Sequence, residues 1–123
     1  MKIQLERGTG QYVIRSYTLG RITVNQEAYT SSLIVTPDRI VTDWRPRSVG
    51  HLTSADFDAV HALEPEVVLL GTGERLSFPD PALTRSLLAA RIGLEVMDTG
   101  AACRTYNVLM AEGRRVAAAL LIG

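Results

Sequence analysis

One cysteine, two histidines and a formal charge of zero leave this 123-residue chain without several common functional signals. A lone thiol, Cys103, excludes an intramolecular disulfide and a cysteine-based zinc site. It also suits a reducing compartment better than a secreted, disulfide-stapled fold. Thirteen Lys and Arg balance thirteen Asp and Glu. Binding to nucleic acid or an anionic membrane needs a concentrated basic surface, which this balance gives no reason to expect. The longest clearly apolar run, Val116 to Ile122, is far below the ~20 residues that span a bilayer. Met1 to Arg7 lacks the apolar stretch of a signal peptide. The expectation is a cytoplasmic protein with no membrane insertion.

What the chain does have is core material, with 46% hydrophobic and 21% charged residues in a length suited to one domain, 1–123. Its first third reads as β. Ile3–Leu5, Tyr12–Tyr17, Arg21–Val24, Ser32–Val35 and Arg39–Trp44 are short, rich in Val, Ile, Thr and Tyr, and set apart by turn residues such as Gly8 to Gly10 and Gly20. Thr36-Pro37-Asp38 joins the last two as a hairpin, proline fixing φ and aspartate bonding the local backbone.

From Leu52 the period becomes helical. Thr53 to Asp56 has the form of a capping box, and Phe57, Val60, His61 and Leu63 supply a face that Pro65 ends. Val67 to Leu70 reads as a strand buried on both faces. Asp80 and Pro81 open a second helix lined by Leu83, Leu87, Leu88 and Ile92, with Gly93 as its stop. Leu94 to Met97 is the next strand. A third helix, capped by Asp98 or Thr99, runs to Glu112, and Val116 to Ile122 forms a final, central strand. The alternation predicts an α/β fold: a central mixed sheet covered by helices, with an additional N-terminal antiparallel β layer.

No catalytic or metal constellation is complete. His51 and His61 lack metal-ligand spacing, and neither Ser77 nor Ser86 sits in a hydrolase elbow. Gly71-Thr72-Gly73 follows a buried strand, yet Glu74 to Phe78 separate it from the next helix, so it is no dinucleotide fingerprint. Cys103 lies near a helix start beside Arg104, which would favour a thiolate. Its flanking Ala101 and Ala102 favour simple packing instead.

Two places remain as candidate sites. Parallel strands at 67–70 and 94–97 would bring Gly71, Thr72 and Gly73 to the same sheet edge as Thr99, Gly100 and Arg104. That edge is where open α/β sheets bind ligands, and a helix start with an arginine suits an anion. Trp44, Arg45 and Arg47 form the other, an aromatic with two cations that suits a protein contact.

The chain also resembles the small Mth-domain family. The likeness lies in Ser32 to Val35 with Thr36-Pro37-Asp38 and Trp44, in Gly71-Thr72-Gly73, in Met97 to Asn107 and in Glu112 to Leu120. Ala102-Cys103-Arg104-Thr105-Tyr106-Asn107 is its most specific part. The resemblance implies a single α/β domain with no established reaction and no cofactor. Its eukaryotic branches include a mitochondrial assembly factor for respiratory complex I. The expectation is therefore a non-catalytic binding or assembly module with an unidentified protein partner, and homo-oligomers are possible. The alternative is an anion-binding protein or enzyme at the Gly71–Arg104 edge.

Overall fold

A computed structural model describes residues 11–122. The strand expected at Ile3–Leu5 and the turn at Gly8 to Gly10 lie outside them. The first described elements form an antiparallel meander of β1 (Ile14–Thr18), β2 (Arg21–Val24) and β3 (Glu27–Tyr29). β3 escapes the sequence reading because only three residues pair, and two of them are exposed. Arg15 is an extra residue in β1, where the register shifts between Ile14 and Ser16.

The second sheet combines β4 (Leu33–Val35), β5 (Ile40–Val41), β6 (Val67–Gly71), β7 (Gly93–Met97) and β8 (Val116–Leu120) in the order β5-β4-β8-β6-β7. β6, β7 and β8 are parallel, while β4 runs antiparallel to β8 and β5. β8 is thus the middle strand, as its two apolar faces predict. Ala117, Ala118 and Ala119 are poor strand formers by propensity. They suit this position because both faces of β8 are fully buried and little side-chain volume is available.

Strand alternation sends alternate residues to two cores. Leu33, Val35, Val67, Leu69, Ala118 and Leu120 face one, which the β1–β3 meander and α3 (Thr99–Ala111) close. Ile34, Val68, Leu70, Ala117 and Ala119 face the other, with Trp44, Phe57, Val60 and Leu87. Short helical pieces supply that second cover: a 3-10 turn at Ser54–Phe57 leading into α1 (Asp58–His61), and another at Pro81–Thr84 leading into α2 (Arg85–Ala89).

Three expectations need correction. The helix before Gly93 ends earlier, at Ala89, and Arg91 rather than glycine takes the left-handed turn with φ 61°. Gly93 instead begins β7. Leu88 leaves the core face and is 63% exposed, because a single turn of α2 can bury only the Leu87 side. The strand expected over Arg39–Trp44 keeps only Ile40–Val41, since Asp43 turns left-handed at φ 56°.

Candidate functional site

The hairpin at β4–β5 closes as its turn residues dictate. Thr36 Oγ1 accepts from the Arg39 amide at 2.9 Å and lies 3.1 Å from Asp38 Oδ1, to which it donates. Its far end runs into Trp44, whose amide donates to Ser32 O at 2.8 Å. Trp44 is 6% exposed. Its indole donates to Asp56 O at 3.0 Å and meets Phe57 edge-on, with ring centroids 6.2 Å apart.

Asp56 is where the predicted capping box acquires a second role. Its carboxylate accepts from the Thr53 amide at 2.8 Å, closing the cap. It also accepts two hydrogen bonds from Arg45, at 3.0 Å and 2.7 Å, and Arg45 donates again to His51 O. Chiefly through Arg45, then through Thr53, the Asp56 carboxyl sits below its usual range. Arg45 therefore fastens the hairpin exit to the helix start. The sequence marks Asp56 as a cap and Arg45 as a contact residue but carries no signal of their pairing, because eleven residues separate the two. Arg47 is exposed. With Asp43, Trp44, Arg45 and Ile122 it lines a shallow cleft of about 220 Å³.

At the C-terminal edge of β6 and β7, the two predicted segments do come together. β6 and β7 are parallel, and Gly71 lies in register with Met97. The meeting is a closed joint rather than a cleft. Gly73 N–H donates to Thr99 Oγ1 at 2.7 Å, and Thr99 N–H returns a bond to Gly73 O at 2.9 Å. Thr99 Oγ1 also donates to Leu121 O at 3.0 Å, so one buried hydroxyl ties the loop, α3 and the exit of β8. Thr72 Oγ1 donates to Arg75 O and accepts from Ser77 N–H. A Cβ on Gly71 would stand 2.9 Å from Thr99 Cα, which shows how little room separates the segments.

The start of α3 is likewise occupied from within. Asp98 Oδ1 accepts from Ala101 N–H at 2.8 Å, and Asp98 O from Ala102 N–H at 3.0 Å. The Thr99, Ala101 and Ala102 amides at this helix start are bonded within the protein itself. Arg104 lies in the second turn of α3. Its Nη1 reaches over Gly100 beside Tyr17 and helps line a small cavity of about 170 Å³ between β1 and α3. The Gly73, Thr99 and Ala101 amides are thus bonded within the protein, and the anion site expected between Gly71–Gly73 and Asp98–Arg104 gains no support from them.

Cys103 is buried, as the packing reading expects, and burial pushes its thiol up to about 12 despite the opposing effect of Arg104. The residues next to it carry the more informative contacts. Tyr106 donates its hydroxyl to Tyr12 O at 2.7 Å. Asn107 accepts from Ile14 N–H at 3.0 Å and donates to Ile14 O at 2.7 Å. The most distinctive stretch of the sequence thus pins α3 to β1 beside the Arg15 bulge. Among the described residues no group of three or more His, Cys, Asp or Glu is placed to hold a metal ion. No helix among them is long and apolar enough to cross a membrane.

Comparison with known proteins completes the picture. A family described as "Protein of unknown function (DUF498/DUF598)" matches residues 14–121. The Bos taurus protein named NADH dehydrogenase (ubiquinone) 1 alpha subcomplex assembly factor 3 is 34% identical over 121 residues, 97% of this chain. The chain spans 65% of the length of that relative. A solution structure from Xanthomonas campestris is 44% identical, covers 100% of this chain and 93% of its own, and superposes with a TM-score of 0.84. A Bordetella pertussis structure described as a Mth938-like domain is 33% identical, with coverages of 99% and 92% and a TM-score of 0.83.

Proposed function

We propose, from the premise that this chain belongs to the DUF498/DUF598 family and has its Mth938-like α/β fold, that it is an assembly module. It works as one domain over residues 1–123 and holds subunits of a respiratory NADH dehydrogenase during their association. The observation that carries this reading is the 34% identity, over 97% of the chain, to a relative named as an assembly factor of that enzyme. The closed joint at Thr99 supports it, since the edge that α/β enzymes use for ligands is here spent on internal hydrogen bonds. We place the protein in the cytoplasm, following its lone unpaired cysteine. Of the three residues assigned to a protein contact, Trp44 and Arg45 are engaged internally, which leaves Arg47 as the member that a partner meets.

The test is affinity purification of the tagged chain from its own cells at moderate salt, with quantitative mass spectrometry. Enrichment of NADH dehydrogenase subunits over an untagged control is the expected outcome. Recovery without any of those subunits overturns the reading.

A further inference from the structure

The edges of the two sheets are not equally protected. An unpaired edge strand invites a further strand, and proteins blunt such edges by shortening, bulges or charge. β5 has two residues and β3 has three, while β1 is bulged at Arg15 and clamped by Asn107. β7 has five residues in unbroken register with β6, no proline and no bulge, and Glu95 is its one charge. Among the described residues no strand flanks its other side.

The parallel register shows which backbone groups that side presents. Gly93 N–H donates to Glu66 O, and Met97 O accepts from Thr72 N–H. In a parallel ladder the inward-bonding residues alternate, so Gly93, Glu95 and Met97 bond to β6. Leu94 and Val96 turn their amides and carbonyls outward. The crossover between β6 and β7 also carries Leu76, Phe78 and Leu88, which are 53%, 71% and 63% exposed.

Charge at the middle of the edge selects the occupant. Glu95 is exposed and has no ion pair among the described residues. A second copy paired antiparallel, in the register that uses both Leu94 and Val96, would set Glu95 directly opposite Glu95. Like charges so placed are destabilising. We propose that the β7 edge docks an extended segment of a partner protein, apolar at alternate positions, with a lysine or arginine facing Glu95. This rests on the assembly-module reading and says where the partner is held.

Two arms test it. In the first, peptides selected from a displayed random library on the full chain are mapped by amide hydrogen exchange. The expected peptides carry a basic residue between β-branched ones and slow exchange at Leu94 and Val96 by about tenfold or more. Glu95 and Met97, already bonded to β6, change little. Glu95→Lys weakens the same peptides by about tenfold. Peptides that leave the Leu94 and Val96 amides unchanged overturn the proposal, as does concentration-dependent self-protection of those amides, which would mean a second copy.

In the second arm, capture of NADH dehydrogenase subunits is compared between wild type, Glu95→Lys and Val96→Pro. Glu95→Lys changes an exposed side chain and keeps the fold, so it decides the outcome if Val96→Pro melts early. Loss of capture in Glu95→Lys is expected. Undiminished capture overturns the edge while leaving the assembly reading intact, whereas no capture by wild type overturns the assembly reading and leaves the peptide arm to decide the edge.

Discussion

Thr99→Val removes one oxygen from the joint that closes the C-terminal sheet edge, at nearly constant shape. The hydroxyl is fully buried, accepts from Gly73 N–H and donates to Leu121 O. Valine leaves both groups without that partner. The Leu121 carbonyl is deeply buried, and an unsatisfied group of that kind costs ~1–3 kcal/mol. The Gly73 amide is partly accessible and recovers some hydration, so the combined loss is about 2–4 kcal/mol. With urea m-values of ~1–3 kcal/mol/M, the unfolding midpoint should fall by about 1–2 M at unchanged m. Thr99→Ser keeps the oxygen and loses only a methyl, at about 1 kcal/mol. The valine variant should therefore be clearly the weaker of the pair. Equal midpoints for the two, or a valine variant within about 0.5 kcal/mol of wild type, would refute the joint as the reason this edge is closed.

Further outcomes follow from the same contacts. Asp56 titrates below its usual value, so its pairing stabilises the fold above the ordinary carboxylate range and that contribution is lost as pH falls through the depressed value. Arg45→Ala should flatten this acid-side loss, seen by comparing melting temperatures at acid and neutral pH. Cys103 in the native protein should resist thiol reagents at neutral pH, in contrast to the denatured chain, because burial holds its thiol near 12. Cys103→Ala should cost about 1 kcal/mol in urea unfolding. Arg91→Gly relieves a left-handed arginine at φ 61° and should raise stability by roughly 0.5–1 kcal/mol, read as a higher melting temperature.

The large outline is legible wherever it depends on local pattern. The central place of β8 follows from apolar residues at every position of Val116–Leu120. The Thr36 turn, the Asp98 cap and the Thr53–Asp56 box are short-range signals that the structure repeats. Long-range pairings leave no such trace. Asn107 and Ile14 are 93 residues apart, and Arg45 reaches Asp56 across an irregular stretch. Convergence of Gly71–Gly73 on Thr99 was readable from parallel topology, but whether the meeting forms a cleft or a joint is not. That depends on sub-ångström approach, such as the 2.9 Å from a Gly71 Cβ to Thr99 Cα. Helix lengths fail for a related reason. Four-residue 3-10 turns and one-turn helices over a buried sheet are stabilised by the packing of Phe57, Val60 and Leu87 rather than by propensity.

The assembly role is tested most directly by native gel electrophoresis of respiratory NADH dehydrogenase from cells lacking this chain, with and without its restored expression. The account predicts depleted full-size enzyme and accumulated subassemblies in its absence, corrected by the wild-type chain. Unchanged amounts of full-size enzyme without the chain would contradict it.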